Sequence, residues 1–195
     1  MKVIFLDNDG VICLADNWGS RFKKQKKWGG RKLSMSNREI PIEYRFDNFD
    51  KKAIKVLNSI LEETGAEIVV SSDWRYHATL EELGDYYEAQ GIIKRPIATT
   101  PYTHEINPEI WNKRFRFSAQ VEEERAFEIT YWLGQHPDVT NWVAVDDLNM
   151  GKLEQRWDYQ IENDWGLDNF VHTPLSREGI KQNGVRENIL QFLNA

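Results

Sequence analysis

Three short apolar runs constrain this chain more than anything else in it. KVIFL (2–6), EIVV (67–70) and NWVAV (141–145) are rich in β-branched residues, lack polar alternation and stop at polar side chains. A run of that kind is the pattern of a strand buried on both faces, as in a parallel sheet covered by helices. NFVHT (169–173) reads as a further strand.

The intervening segments carry helical spacing. In DKKAIKVLNSILEET (50–64), Ala53, Leu57, Ile60, Leu61 and Thr64 share a face, with Asp50 as N-cap and Gly65 as the stop. Thr79 and Glu82 form a capping box for a helix through Gln90 that stops at Gly91. A helix over Val121 to Leu133 ends at Gly134, and a closing helix lies within Ser176 to Leu193. Pro96, Pro101 and Pro108 mark 94–108 as a loop, since each removes a backbone donor and restricts the residue before it. Strands alternating with helices predict an α/β fold with a parallel sheet covered on both sides.

In such a sheet the ligand site lies beyond the carboxyl ends of the strands. Asp7 and Asp9, Asp146 and Asp147, and Ser71 and Ser72 all stand there. Carboxylates brought together at one edge repel one another unless a cation neutralises them, and hard oxygen ligands favour Mg2+, which often also contacts a substrate phosphate.

Composition sets the outer limits. With 195 residues and 41% apolar content, the chain suits one well-buried domain, 1–195. A net charge of -6 disfavours a surface that is one continuous nucleic-acid footprint but leaves room for a local basic patch. The lone cysteine, Cys13, permits no internal disulfide and reads as a small core residue. No apolar run is long enough to span a bilayer and no signal peptide opens the sequence, so a cytoplasmic, membrane-free protein is expected. His77, His104, His136 and His172 lack zinc-ligand spacing, and no phosphate-binding Gly-x-x-x-x-Gly-Lys-Ser/Thr loop occurs.

VIFLDNDGV, EIVVS and WVAVDD, in this order, resemble the first, second and fourth motifs of the haloacid dehalogenase (HAD) superfamily of phosphohydrolases. AIKVLNSILEETGAEIVVSSDWR, ERAFEITYWL and WVAVDD are similar to the branch formed by the HAD domain of Swiss Army Knife RNA repair proteins. The resemblance implies a three-layer, Rossmann-like HAD core with a small flap or cap inserted after the first strand, here 13–49.

It also implies roles. Asp7 is the nucleophile that takes the phosphoryl group; Asp9 protonates the leaving oxygen and later activates water. Mg2+ is held by Asp7, by Asp9 through its backbone carbonyl, and by the fourth-motif acids, with Asp147 the direct ligand and Asp146 its neighbour. Ser71 donates to a phosphate oxygen, with Ser72 the alternative if the strand runs one residue longer. Arg125 takes the place of the third-motif cation, with Lys113, Arg114 and Arg116 as rivals. Arg75 is either a second phosphate clamp or an ion-pair partner.

The segment RFKKQKKWGGRK (21–32) interleaves Arg21, Lys23, Lys24, Lys26, Lys27, Arg31 and Lys32 with Phe22 and Trp28. Basic side chains track a phosphodiester backbone and aromatic ones stack on bases, so Lys23, Lys24, Lys27 and Trp28 are candidate substrate contacts; the competing reading is a solvated flap. The expected activity is a Mg2+-dependent phosphomonoesterase acting on nucleic-acid ends or nucleotides. A small-metabolite phosphatase, and a non-catalytic module that binds phosphorylated ligands or a protein partner, are the alternatives.

Overall fold

The computed structural model describes residues 1–30, 33–115, 121–151 and 166–195, with the side chains of 114 and 115 outside that description. The expected strands form: β1 (Lys2–Leu6), β2 (Glu67–Val70), β4 (Asn141–Asp146) and β5 (Phe170–His172). With β3 (Ala98–Thr99) they make a five-stranded, all-parallel sheet in the order β3-β2-β1-β4-β5. β1 is central, pairing with β2 on one side and β4 on the other. The chain winds outward through β2 and β3, then returns to the opposite flank of β1. Residue 7 therefore emerges at the switch point, where open α/β sheets form a crevice.

Among the described residues the α-helices are α1 (Ser20–Trp28), α2 (Ile42–Arg45), α3 (Lys51–Thr64), α4 (Leu80–Gln90), α5 (Thr103–Ile106), α6 (Pro108–Ile110), α7 (Val121–Gln135) and α8 (Val185–Leu193). Because successive side chains on a strand point to opposite faces, β1 feeds two cores. Ile4 and Leu6 pack with Leu57, Ile60 and Leu61 of α3, Leu83 and Tyr87 of α4, and Ile189 and Leu193 of α8. Val3 and Phe5 face Ala126, Ile129 and Trp132 of α7, with the Phe5 and Trp132 rings edge-on at 5.4 Å.

The local signals explain most boundaries. The Asp50 carboxylate accepts from the Lys52 and Ala53 N–H groups, and the Thr79–Glu82 capping box forms at α4. Two expectations need correction. The 94–108 segment is not all loop: β3 lies between Pro96 and Pro101, and two paired residues are too few to show any periodicity. α7 runs past the expected stop at Gly134 to Gln135, and Val121 at its start is exposed. Between β1 and α3 the chain forms α1 and α2, tied back to the rest by Arg45, which donates to the His77 carbonyl and pairs with Glu82.

Candidate active site

The turn after β1 is built by its own backbone. The Asn8 carbonyl accepts from the N–H groups of Val11, Ile12 and Cys13, while the Asn8 amide oxygen takes the Tyr87 hydroxyl at 2.5 Å. Asp7 N–H donates to the Val145 carbonyl and Ser71 N–H to that of Leu6, so the ends of β4, β1 and β2 are laced together. Gly10 sits in this turn at φ +71°, and a Cβ there would lie 2.2 Å from the Asp147 carboxylate. Only glycine fits.

Oxygens of Asp7, Asp146 and Asp147 lie within 4.8 Å of one another. Arg125, delivered by α7, forks between two of these acids: its Nη1 is 2.7 Å from Asp146 and 3.3 Å from Asp7, while Nη2 reaches Asp73 at 3.0 Å. Burial raises the Asp7 carboxyl well above the usual carboxylate range; the neighbouring Asp146 adds to this and Arg125 opposes it. Asp146 is raised by burial against the pull of Arg125. Asp147, pushed up to about 6 by burial and by Asp146, has no ion pair among the described residues.

This donor set fits a hard divalent cation. Three clustered carboxylates carry more negative charge than one guanidinium offsets, and Asp147, with no ion pair among the described residues, is more open to an ion than Asp146, which already serves Arg125 and the Leu148 N–H. The Ser71 hydroxyl, fully buried, finds no hydrogen-bond partner among the described residues. An orphaned buried donor at a strand end is costly in itself and suits an incoming oxygen.

The Asp9 carboxylate stands apart from the acid cluster. It accepts from the Trp74 indole N–H at 2.7 Å, and burial raises its pKa while that hydrogen bond lowers it. The three clustered acids do not include Asp9, one of whose carboxylate oxygens accepts from Trp74 instead. Ser72 caps the 3₁₀ turn Asp73–Tyr76 by accepting from the Trp74 N–H, and β2 ends at Val70, which leaves Ser71 as the free hydroxyl.

Two of the expected substrate contacts are otherwise engaged. Arg75 is buried, with Nη2 on Glu128 at 2.5 Å and Nη1 on the Thr100 hydroxyl, so it does not stand in the site as a phosphate clamp. Lys24 is half-buried and its ammonium donates to the Phe46 carbonyl, Asn48 and the Tyr86 hydroxyl, which removes it from the basic row. Its pKa is lowered to about 8 by burial. Lys23, Lys27 and Trp28 are exposed on α1, the last stacked on Tyr44, and Arg21 pairs with Asp47. Arg31, Lys32 and Arg116 lie outside the described residues, as does the Arg114 side chain, and Lys113 pairs with Glu109 at the surface.

Sequence reasoning missed three functional neighbours: Asp73 on Arg125, Trp74 on Asp9, and Tyr87 beneath Asn8. SSDWR flags the first two only once the strand end is known to be the site; nothing in sequence pairs Tyr87 with Asn8.

The family model for the HAD domain in Swiss Army Knife RNA repair proteins matches residues 3–183. No curated protein and no solved structure gives a match.

Proposed function

The chain belongs to the family of HAD domains in Swiss Army Knife RNA repair proteins, and on that premise we propose that it is a Mg2+-dependent phosphomonoesterase acting on the phosphorylated ends of nucleic acids. The observation that carries the reading is the cluster of buried Asp7 and Asp146 with half-buried Asp147 at the sheet's switch point, two of its acids gripped by Arg125.

Asp7, Asp147 and the backbone carbonyl of Asp9 would hold a Mg2+ ion, which would supply the charge neutralisation that attack on a phosphoryl group needs. Arg125 contacts one Asp7 oxygen and leaves the other for attack. That second oxygen attacks phosphorus, the P–O ester bond breaks, and Asp9 gives its proton to the departing oxygen. Burial keeps Asp9 protonated at a higher pH than an exposed carboxyl would allow, while the Trp74 N–H holds it in place. In the second half Asp9 takes a proton from water, water attacks phosphorus, and the Asp7 carboxylate is regenerated. The Ser71 hydroxyl gains in a phosphoryl oxygen the partner it lacks among the described residues. Exposed Lys23 and Lys27, one turn apart on α1, with Trp28 beside them, supply a basic and aromatic strip for the strand.

The test is phosphate release with Mg2+ from matched 3′- and 5′-phosphorylated RNA and DNA oligonucleotides, mononucleotides and sugar phosphates, with Asp7→Asn as blank. Release from oligonucleotide ends that vanishes in the variant is the expected result. Release from sugar phosphates alone would remove the nucleic-acid part, and no release from any substrate would remove the enzymatic reading.

A further inference from the structure

The 3₁₀ turn Asp73–Tyr76 does more than hold Asp9. Residues three apart in a 3₁₀ turn eclipse one another, so Tyr76 shares a face with Asp73. The Asp73 carboxylate reaches Arg125 while its side chain is 64% exposed, which makes that face the mouth of the site. Tyr76 is 45% exposed there. Trp74, whose indole touches Asp9, is two residues earlier, and its Cα lies at most about 7.6 Å from that of Tyr76.

The Tyr76 ring is held in place from behind. It stacks on Tyr102 with ring centroids 4.6 Å apart and planes 23° apart, and Tyr102 stacks on His104 at 5.5 Å and 14°. The Tyr102 hydroxyl donates to the Arg75 carbonyl at 2.8 Å. The Arg75 guanidinium, anchored on Glu128, lies 5.3 Å and 5.2 Å from the Tyr76 and Tyr102 centroids. A pre-ordered ring loses little conformational freedom when a second ring settles on it.

We infer that Tyr76, backed by Tyr102 and His104, is a base-stacking subsite for a single-stranded nucleic-acid end whose terminal phosphate reaches the acid cluster. The inference rests on the phosphomonoesterase reading for what happens at that phosphate. A free base offers its π-face to an aromatic side chain whatever its identity. A base inside a duplex has that face already covered, and a sugar phosphate has none, so the subsite selects single strands without reading sequence. Arg75 becomes a positioning residue, acting through the rings.

The experiment measures equilibrium binding of short fluorescent single-stranded RNA and DNA oligonucleotides, and of a blunt duplex, to the full chain carrying Asp7→Asn. Single strands are expected to bind more tightly than the duplex. Adding Tyr76→Ala is expected to weaken single-strand binding about fivefold or more, while Tyr76→Phe preserves it. The dependence on salt stays the same, because no phosphate contact is removed. A dissociation constant unmoved by Tyr76→Ala, an equal loss in Tyr76→Phe, a duplex bound as tightly, or no binding at all would overturn the inference. Strand binding that depends on Tyr76, in a protein that hydrolyses no phosphomonoester, would overturn the enzymatic reading and leave the subsite standing.

Discussion

Replacing Arg125 by Met keeps most of the side-chain volume and removes the charge. The Arg125 side chain is 6% exposed, and its partners Asp7 and Asp146 are 5% and 0% exposed. At an effective dielectric of about 20, each of those two contacts is worth roughly 5–6 kcal/mol of gross Coulomb attraction, most of it offset by desolvation. Losing the cation leaves two buried carboxylates uncompensated, which costs about 3–5 kcal/mol. The third partner, Asp73, is 64% exposed and adds little. Urea denaturation without divalent cation, near neutral pH, is the assay. Without Arg125 the Asp7 and Asp146 carboxyls rise further above their unfolded values, so the folded state binds more protons than the unfolded one and loses stability as pH rises through that window. The destabilisation of Arg125→Met is therefore expected to shrink at mildly acid pH and to be partly reversed by Mg2+. A loss under about 1 kcal/mol, equal at both pH values and indifferent to Mg2+, would refute the reasoning.

Other consequences follow from single contacts. Gly10→Ala places a methyl group on the Asp147 carboxylate at a positive φ, so it is expected to lower the melting temperature and Mg2+ affinity together; a thermal melt and a Mg2+ titration of activity check this. Ser71→Ala removes a hydroxyl with no partner among the described residues, so stability should hold or rise while phosphate release falls about 10²–10³-fold; a matching loss of stability would show the hydroxyl is structural. Trp74→Phe deletes the N–H that favours the Asp9 carboxylate, raising the Asp9 pKa and moving the basic limb of the pH–rate profile to higher pH; a limb that stays put or moves down contradicts the acid role. Lys24 has a folded pKa of about 8, below the ordinary ammonium value, so between that pH and the unfolded pKa the unfolded chain holds more protons and stability rises with pH. Lys24→Met is expected to flatten that rise in denaturation curves taken across the range.

The strands, the capped helices α3 and α4 and the site acids were legible because each rests on a local rule: unalternated apolar runs, a cap residue three positions from its target, acids just past a strand. What stayed hidden depends on tertiary partners. Lys24 reads as one more lysine in a basic run until Phe46, Asn48 and Tyr86 are folded around its ammonium. Arg75 reads equally as a clamp or an ion-pair partner until α7 brings Glu128 to it. β3 has too few residues for a pattern, and the stacked Tyr76, Tyr102 and His104 are brought together across a proline-marked segment that carries no periodic signal.

The most direct measurement is a single-turnover reaction with an oligonucleotide carrying a radiolabelled terminal phosphate, quenched in acid before completion, with the label traced by peptide mapping. Label bound covalently to the peptide containing Asp7, absent from the Asp7→Asn protein and released as phosphate on further incubation, is the result expected. Phosphate formed with no label on the protein at any time, or label that persists in Asp7→Asn, would contradict nucleophilic attack by Asp7.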